Sequence, residues 1–194
     1  MNRERLVARA RSIQRTLERF YHLEDGPDVT DFVRTVEGPS REALLMRHAD
    51  DELELALVLP SGDGGDGNAK DVYVQMIEGV SHFVYVAERA RIDLPATELE
   101  LELQAEVDKF VLLAFDDEEL VMERVRDVHR SLYENVEFLH GADSEPGQRY
   151  RLANELAARV AVRVARPGSS HPPSFLRRFY RSGQTDKIRL ARAA

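Results

Sequence analysis

Hydrophobic positions along the 194-residue chain recur at two spacings, and most of the chain follows the helical one. The stretch Asp71 to Arg91, DVYVQMIEGVSHFVYVAERAR, is apolar over most of a helical circumference. Val72, Met76, Val80, Phe83, Val84 and Ala87 cover several sides, while Gln75, Glu78, His82, Tyr85 and Arg89 share one narrow stripe. Such a helix belongs in the interior. Its polar stripe must then pair internally or face a cleft, because a buried charge without a partner costs several kcal/mol.

Elsewhere the same period predicts an amphipathic helix over 3–22, with Leu6, Ala10, Ile13, Leu17 and Phe20/Tyr21 on one face, ending near Gly26–Pro27. Period two appears in Glu52 to Leu59, which places Leu53, Leu55, Leu57 and Leu59 on one face of a strand. Ala43 to His48 is its hairpin partner, and Phe32 to Val36 a short extended piece, giving two or three antiparallel strands. A sheet that small needs helices to lie on. Thr97 with Glu100 forms a capping box opening a helix through Phe115; the alternation of ELELEL is overridden by the helix propensity of Glu and Leu. Asp116 with Glu119 predicts a second capping box and a long helix carrying Val121, Val125, Val128, Leu132, Val136 and Leu139 up to Gly141. Ser144 and Pro146 open another, with Tyr150, Ala153, Ala157, Val160 and Val164 inward until Pro167–Gly168. In the tail, Ser174 is positioned to cap a short helix with Phe175, Leu176 and Phe179, and Thr185/Asp186 a last basic turn.

These elements describe an α+β chain, mainly α: a helical bundle around a central apolar helix at about 69–91, with a small antiparallel β-hairpin at about 42–59 packed on it. One globular domain spans 1–170, and 171–194 is a basic, aromatic-containing docking segment. Zero Cys removes thiol chemistry and Cys-ligated metals, and neither an apolar leader nor an 18-residue apolar run is present, so a cytoplasmic chain without membrane association is expected. Arg outnumbers Lys 24 to 3, which points to a high-G+C, bacterial genome. Residues 1–22 carry six Arg against two Glu, and 166–194 seven basic residues against one Asp; with −8 overall, the middle 23–165 holds −18. An acidic middle can draw the basic ends onto itself, and the net negative charge argues against nucleic acid as a partner.

Candidate chemistry is sparse. In Pro60 to Lys70, Gly62 and Gly67 have P-loop spacing, but Asn68 and Ala69 replace the Lys and Ser/Thr that contact phosphate and Mg²⁺. Asp63, Asp66 and Asn68 lack the closing Glu of a calcium loop, so this segment reads as a mobile linker. Glu137-x-x-His140, Glu78-x3-His82 and Glu102-x3-Glu106 hint at a carboxylate-bridged di-metal bundle, yet only one Glu-x-x-His pair exists; no metal or cofactor is assigned. Ser81 and His82 are neighbours on a helix and diverge by about 100°, and no nucleophile elbow is present, so no catalytic residue is assigned either. The expected function is a binding or regulatory module acting through a protein partner or self-association. Its contact residues are Glu78, His82, Tyr85 and Arg89 on the central stripe and Arg177, Arg178, Phe179 and Arg181 in the tail, which docks in cis or in trans. The alternative is an enzyme, possibly metal-dependent, in which Glu78, Glu102 or Glu106 acts as base with His82 as partner. No small-molecule ligand can be named from the sequence.

Overall fold

A computed structural model describes residues 3–24, 26–35, 42–49, 52–59, 69–168 and 171–193. Helix α1 (Arg3–Tyr21) buries the predicted face, Leu6, Ala10, Ile13, Leu17, Phe20 and Tyr21. It stops before Gly26, because His22 turns into the left-handed region at φ 51°. A single helical turn, α2 (Val29–Phe32), is capped by Asp28, whose side chain accepts from the Thr30 amide.

Three strands follow: β1 (Val33–Thr35), β2 (Ala43–Ala49) and β3 (Glu52–Leu59). The β2–β3 hairpin has the predicted antiparallel pairing, with Ala49 opposite Glu52. β1 instead runs parallel to β3, Val33 opposite Leu57, which corrects the all-antiparallel expectation. The order β1-β3-β2 explains it: β3, richest in Leu, takes the centre, where both edges are bonded, and β1 lies on its far side. Leu57 and Leu59 are fully buried. A Cβ on Gly79 would stand 3.0 Å from Leu57 Cδ1 and 3.2 Å from Leu59 Cδ2, so glycine there lets the sheet settle onto the helix behind it.

That helix, α3 (Ala69–Arg91), and α4 (Glu98–Ala114) pack as an antiparallel pair. The Thr97/Glu100 capping box forms as predicted, and twelve of the seventeen α4 residues are buried, which makes α4 more enclosed than α3. The second predicted capping box does not form. Phe115–Asp116 (β4) and Glu119–Leu120 (β5) pair as a two-residue hairpin with Asp117 at φ 54°, because Asp and Glu serve tight turns as well as helix starts. The helix after it is two pieces, α5 (Met122–His129) and a π-helical turn, Arg130–Glu134, closed by Asn135 N donating to Arg130 O at 3.1 Å. It ends well before Gly141, so Glu137 and His140 are not a helical pair, and Leu139 is exposed.

Ser144 caps α6 (Glu145–Val164), whose Ala153, Ala157, Val160 and Val164 are buried as expected. In the tail, α7 (Pro172–Arg181) starts two residues ahead of Ser174, since Pro172 fits the first helical position, and α8 (Gln184–Arg192) follows Gly183 rather than a Thr185/Asp186 cap. α7 lies on α1 and α8 on α6 and α4, with Leu176, Phe179 and Tyr180 buried in the common core. Among the described residues no helix is long and apolar enough to cross a membrane. The Pro60–Asn68 segment lies outside the described residues.

Candidate functional site

Helix α4 is apolar enough to be interior yet carries two polar rows. Glu100, Gln104 and Asp108 recur every fourth residue, while Glu102, Glu106 and Lys109 form a second row at spacings of four and three. The antiparallel α3 stripe lies against both. Going down α3, Arg89 and Tyr85 meet Glu100, His82 meets Glu102, and Glu78 meets Lys109.

The first row is closed. Asp108 accepts from Tyr21 and Ser81 hydroxyls at 2.6 Å each and from Gln104 Nε2 at 2.7 Å. Lys187, from α8, is fully buried; its Nζ donates to Gln104 Oε1 at 2.5 Å and faces the rings of Phe179 and Tyr85, 4.5 and 5.0 Å from their centroids. Burial pushes Asp108 up to about 6 against the pull of those three donors, and pushes Lys187 down to about 7 against the attraction of Asp108 and Glu100. At the upper end, Arg89 Nη2 reaches Glu100 Oε1 at 3.0 Å, and Glu100 Oε2 accepts from Thr97, so the residue that caps α4 also neutralises Arg89.

The second row is open at its edge. Lys109 Nζ bridges Glu78 Oε2 at 2.6 Å and Glu106 Oε1 at 2.8 Å. Burial pulls Lys109 down, but the two carboxylates outweigh it and hold the ammonium above the usual lysine range. One turn away, His82 Nε2 lies 3.7 Å from Glu102 Oε2, with 13% and 11% of these side chains exposed. Burial lowers His82 to about 4, with Glu78 opposing and Lys109 assisting. Burial and then Glu78 raise Glu102 to about 8, over the contrary pull of Lys109, Tyr150 and Arg149. Near neutral pH a protonated carboxyl therefore faces a neutral imidazole. The hydrogen bond between His82 and the Leu101 backbone favours the ring's protonated form, as donation from Nδ1 would. The buried Nε2 has no hydrogen-bond partner among the described residues.

The residues expected to bind thus divide among several places. Glu78 and His82 line the open edge; Tyr85 and Arg89 belong to the closed end. Phe179 is buried; Arg177 Nε donates to Phe20 O at 2.7 Å, Arg181 Nη2 to Tyr21 O at 2.9 Å, and Arg178 is exposed. Glu137 joins no cluster among the described residues, whereas His140 stacks on Tyr150 at 5.6 Å. Among the described residues no three His, Asp or Glu side chains converge as metal ligands, and Lys109 puts an ammonium between two of the carboxylates considered for that role. Spacing alone missed Gln104, Asp108, Lys109 and Lys187. One signal was present: two of the only three Lys in an Arg-rich chain are these buried ones, where a compact three-donor ammonium fits and a planar guanidinium does not.

Comparison with protein-family models, curated proteins and solved structures finds no match for this chain.

Proposed function

We propose that the protein works through the Glu102–His82 edge, binding a small polar ligand between α3, α4 and the start of α6 and exchanging a proton with it. The observation that carries this reading is the buried, unpartnered Nε2 of His82 set 3.7 Å from a carboxyl that burial keeps protonated. A buried nitrogen without a partner is a cost that folded proteins seldom retain unless the atom is used. A donor and an acceptor with displaced pKa values in one partly open site are what general acid–base chemistry needs. Lys109 is paired with both Glu78 and Glu106, and the charge of Glu78 outweighs it at Glu102, helping to keep that carboxyl protonated. The interaction-module reading gains less from the tail, because Arg177 and Arg181 already bond to α1 carbonyls.

The working form, Glu102 protonated with His82 neutral, persists between about pH 4 and about pH 8. Hydrolysis of p-nitrophenyl acetate, glucoside and phosphate should therefore reveal at least one turnover with a plateau in that window. His82→Gln and Glu102→Gln should each lower kcat/KM by roughly 10² or more while remaining cooperatively folded. Wild type no faster than buffer on all three, with the His82 ring nitrogens titrating near the ordinary imidazole value, would sink the reading.

A further inference from the structure

On the face formed by α5, the π turn and the C-terminal half of α6, two open hollows of about 400 and 530 Å³ meet at His129 and Val162, which line both. Val162, an apolar side chain, is 50% exposed at this saddle. The first hollow has a floor of Val125, Ala161 and Ala165 and is bordered by Arg126, Arg130 and Arg166. Among the described residues, the side chains of these three arginines make no ion pair or hydrogen bond. Its one carboxylate, Glu134, is drawn to His129 Nδ1 at 3.1 Å. The second hollow is lined by Tyr133, Phe138 and Ala158, and its charges are already engaged: Arg159 on Glu155 at 2.9 Å, Arg151 on the His140 and Gly147 carbonyls.

In a chain of net charge −8, three unpaired arginines gathered beside an apolar floor are a local reversal of sign. We infer that this trough receives an amphipathic acidic helix from a partner protein, carboxylates against Arg126, Arg130 and Arg166 and apolar side chains over Val162 toward Tyr133 and Phe138. The trough follows α6 from Asn154 to its end at Val164, about 15 Å at 1.5 Å per residue, and continues past it to Pro167, which suits a partner helix of about 10–14 residues. A second copy placed by a two-fold axis would set these arginines against themselves, which like-charge repulsion disfavours. Nucleic acid would leave the apolar floor unused.

Selection of a random peptide library of about 14 residues per member on the full chain tests this, followed by anisotropy titration of the enriched peptides. Enriched sequences should be net acidic with apolar residues at helical spacing. Arg130→Glu with Arg166→Glu should weaken them at least about tenfold, and so should Val162→Glu, all three positions being exposed. Affinity should fall as salt rises from about 50 to about 500 mM. No enriched family, an enriched family without acidic excess, or affinities unchanged in these variants would overturn the proposal. Concentration-dependent dimerisation abolished by Val162→Glu would also overturn it, assigning the trough to a second copy.

Discussion

On one side of α4, Asp108 and Gln104 are surrounded by Tyr21, Ser81 and Lys187, and the unpartnered atom nearby is the hydroxyl of Tyr180. On the other, one turn away, Glu102 and His82 lean on each other at 3.7 Å without a hydrogen bond, and the unpartnered atom is a titratable ring nitrogen. Both clusters place carboxyl, amine and hydroxyl groups in the interior, so composition does not separate them. Closure does. The first is sealed by α1 and α8, which bring donors from residues 83 to 87 positions away in the chain. The second is bordered by Arg149 and Tyr150 at the start of α6 and leaves its His and Glu side chains 11–17% exposed. A satisfied, dry network fixes one arrangement and pins the tail, whereas a partly satisfied one at a water boundary can exchange its partner for a ligand.

The sharpest way to break this contrast is Asp108→Ala. It deprives three donors of their acceptor and removes the stronger of the two carboxylates that attract Lys187, a change on the scale of the about 3–5 kcal/mol that a broken buried pair costs. Urea unfolding should show the loss; a change below about 1 kcal/mol would mean the closed cluster is no lock.

The pH dependence of stability should separate Lys187 from Glu102 by sign. Lys187 is held below its unfolded value, so between about pH 7 and the ordinary lysine range the unfolded chain binds more protons and stability rises with pH. Glu102 is held above its unfolded value, so from the ordinary carboxylate range to about pH 8 the folded chain binds more protons and stability falls as pH rises. Each slope is bounded by about 1.4 kcal/mol per pH unit. Lys187→Met should remove the alkaline rise, and Glu102→Gln the fall between about pH 6 and about pH 8, below which Asp108 contributes a fall of its own. Identical curves for the two variants would erase the distinction.

Smaller effects belong to the tail's surface. Arg181→Ala loses bonds to the Tyr21 and His22 carbonyls at the solvent edge and should cost about 1 kcal/mol in thermal unfolding. Arg178→Ala, at an exposed site, should stay within about 0.5 kcal/mol. Reversal of that order would show that α7 is not held where Arg181 places it.

Much of this architecture was legible in the sequence. Helices α1, α3, α4 and α6 and the β2–β3 hairpin follow from apolar residues at periods of 3.6 and 2, and from Thr97 and Ser144, whose side chains satisfy the first free amides wherever the helix lies. Expectation failed where one local signal serves two structures. Asp116 and Glu119 suit a cap or a hairpin, and the seam from Val121 to Leu139 breaks because α5 has no buried residue to prolong it. The site was half legible: Glu78, His82, Glu102 and Glu106 are visible as a carboxylate/His set, but their partners were not.

What the sequence by itself determined is therefore which segments are helices or strands and which faces they bury, since those depend on neighbours within a turn or two. Only the tertiary structure decided which polar residue meets which. Glu78 with Lys109 and Ser81 with Asp108 follow from the register of α3 against α4, and Lys187 reaches Gln104 only once α8 has docked. The reason is desolvation: a buried charge keeps or loses its proton according to the groups excluded from water with it, and those come from distant parts of the chain.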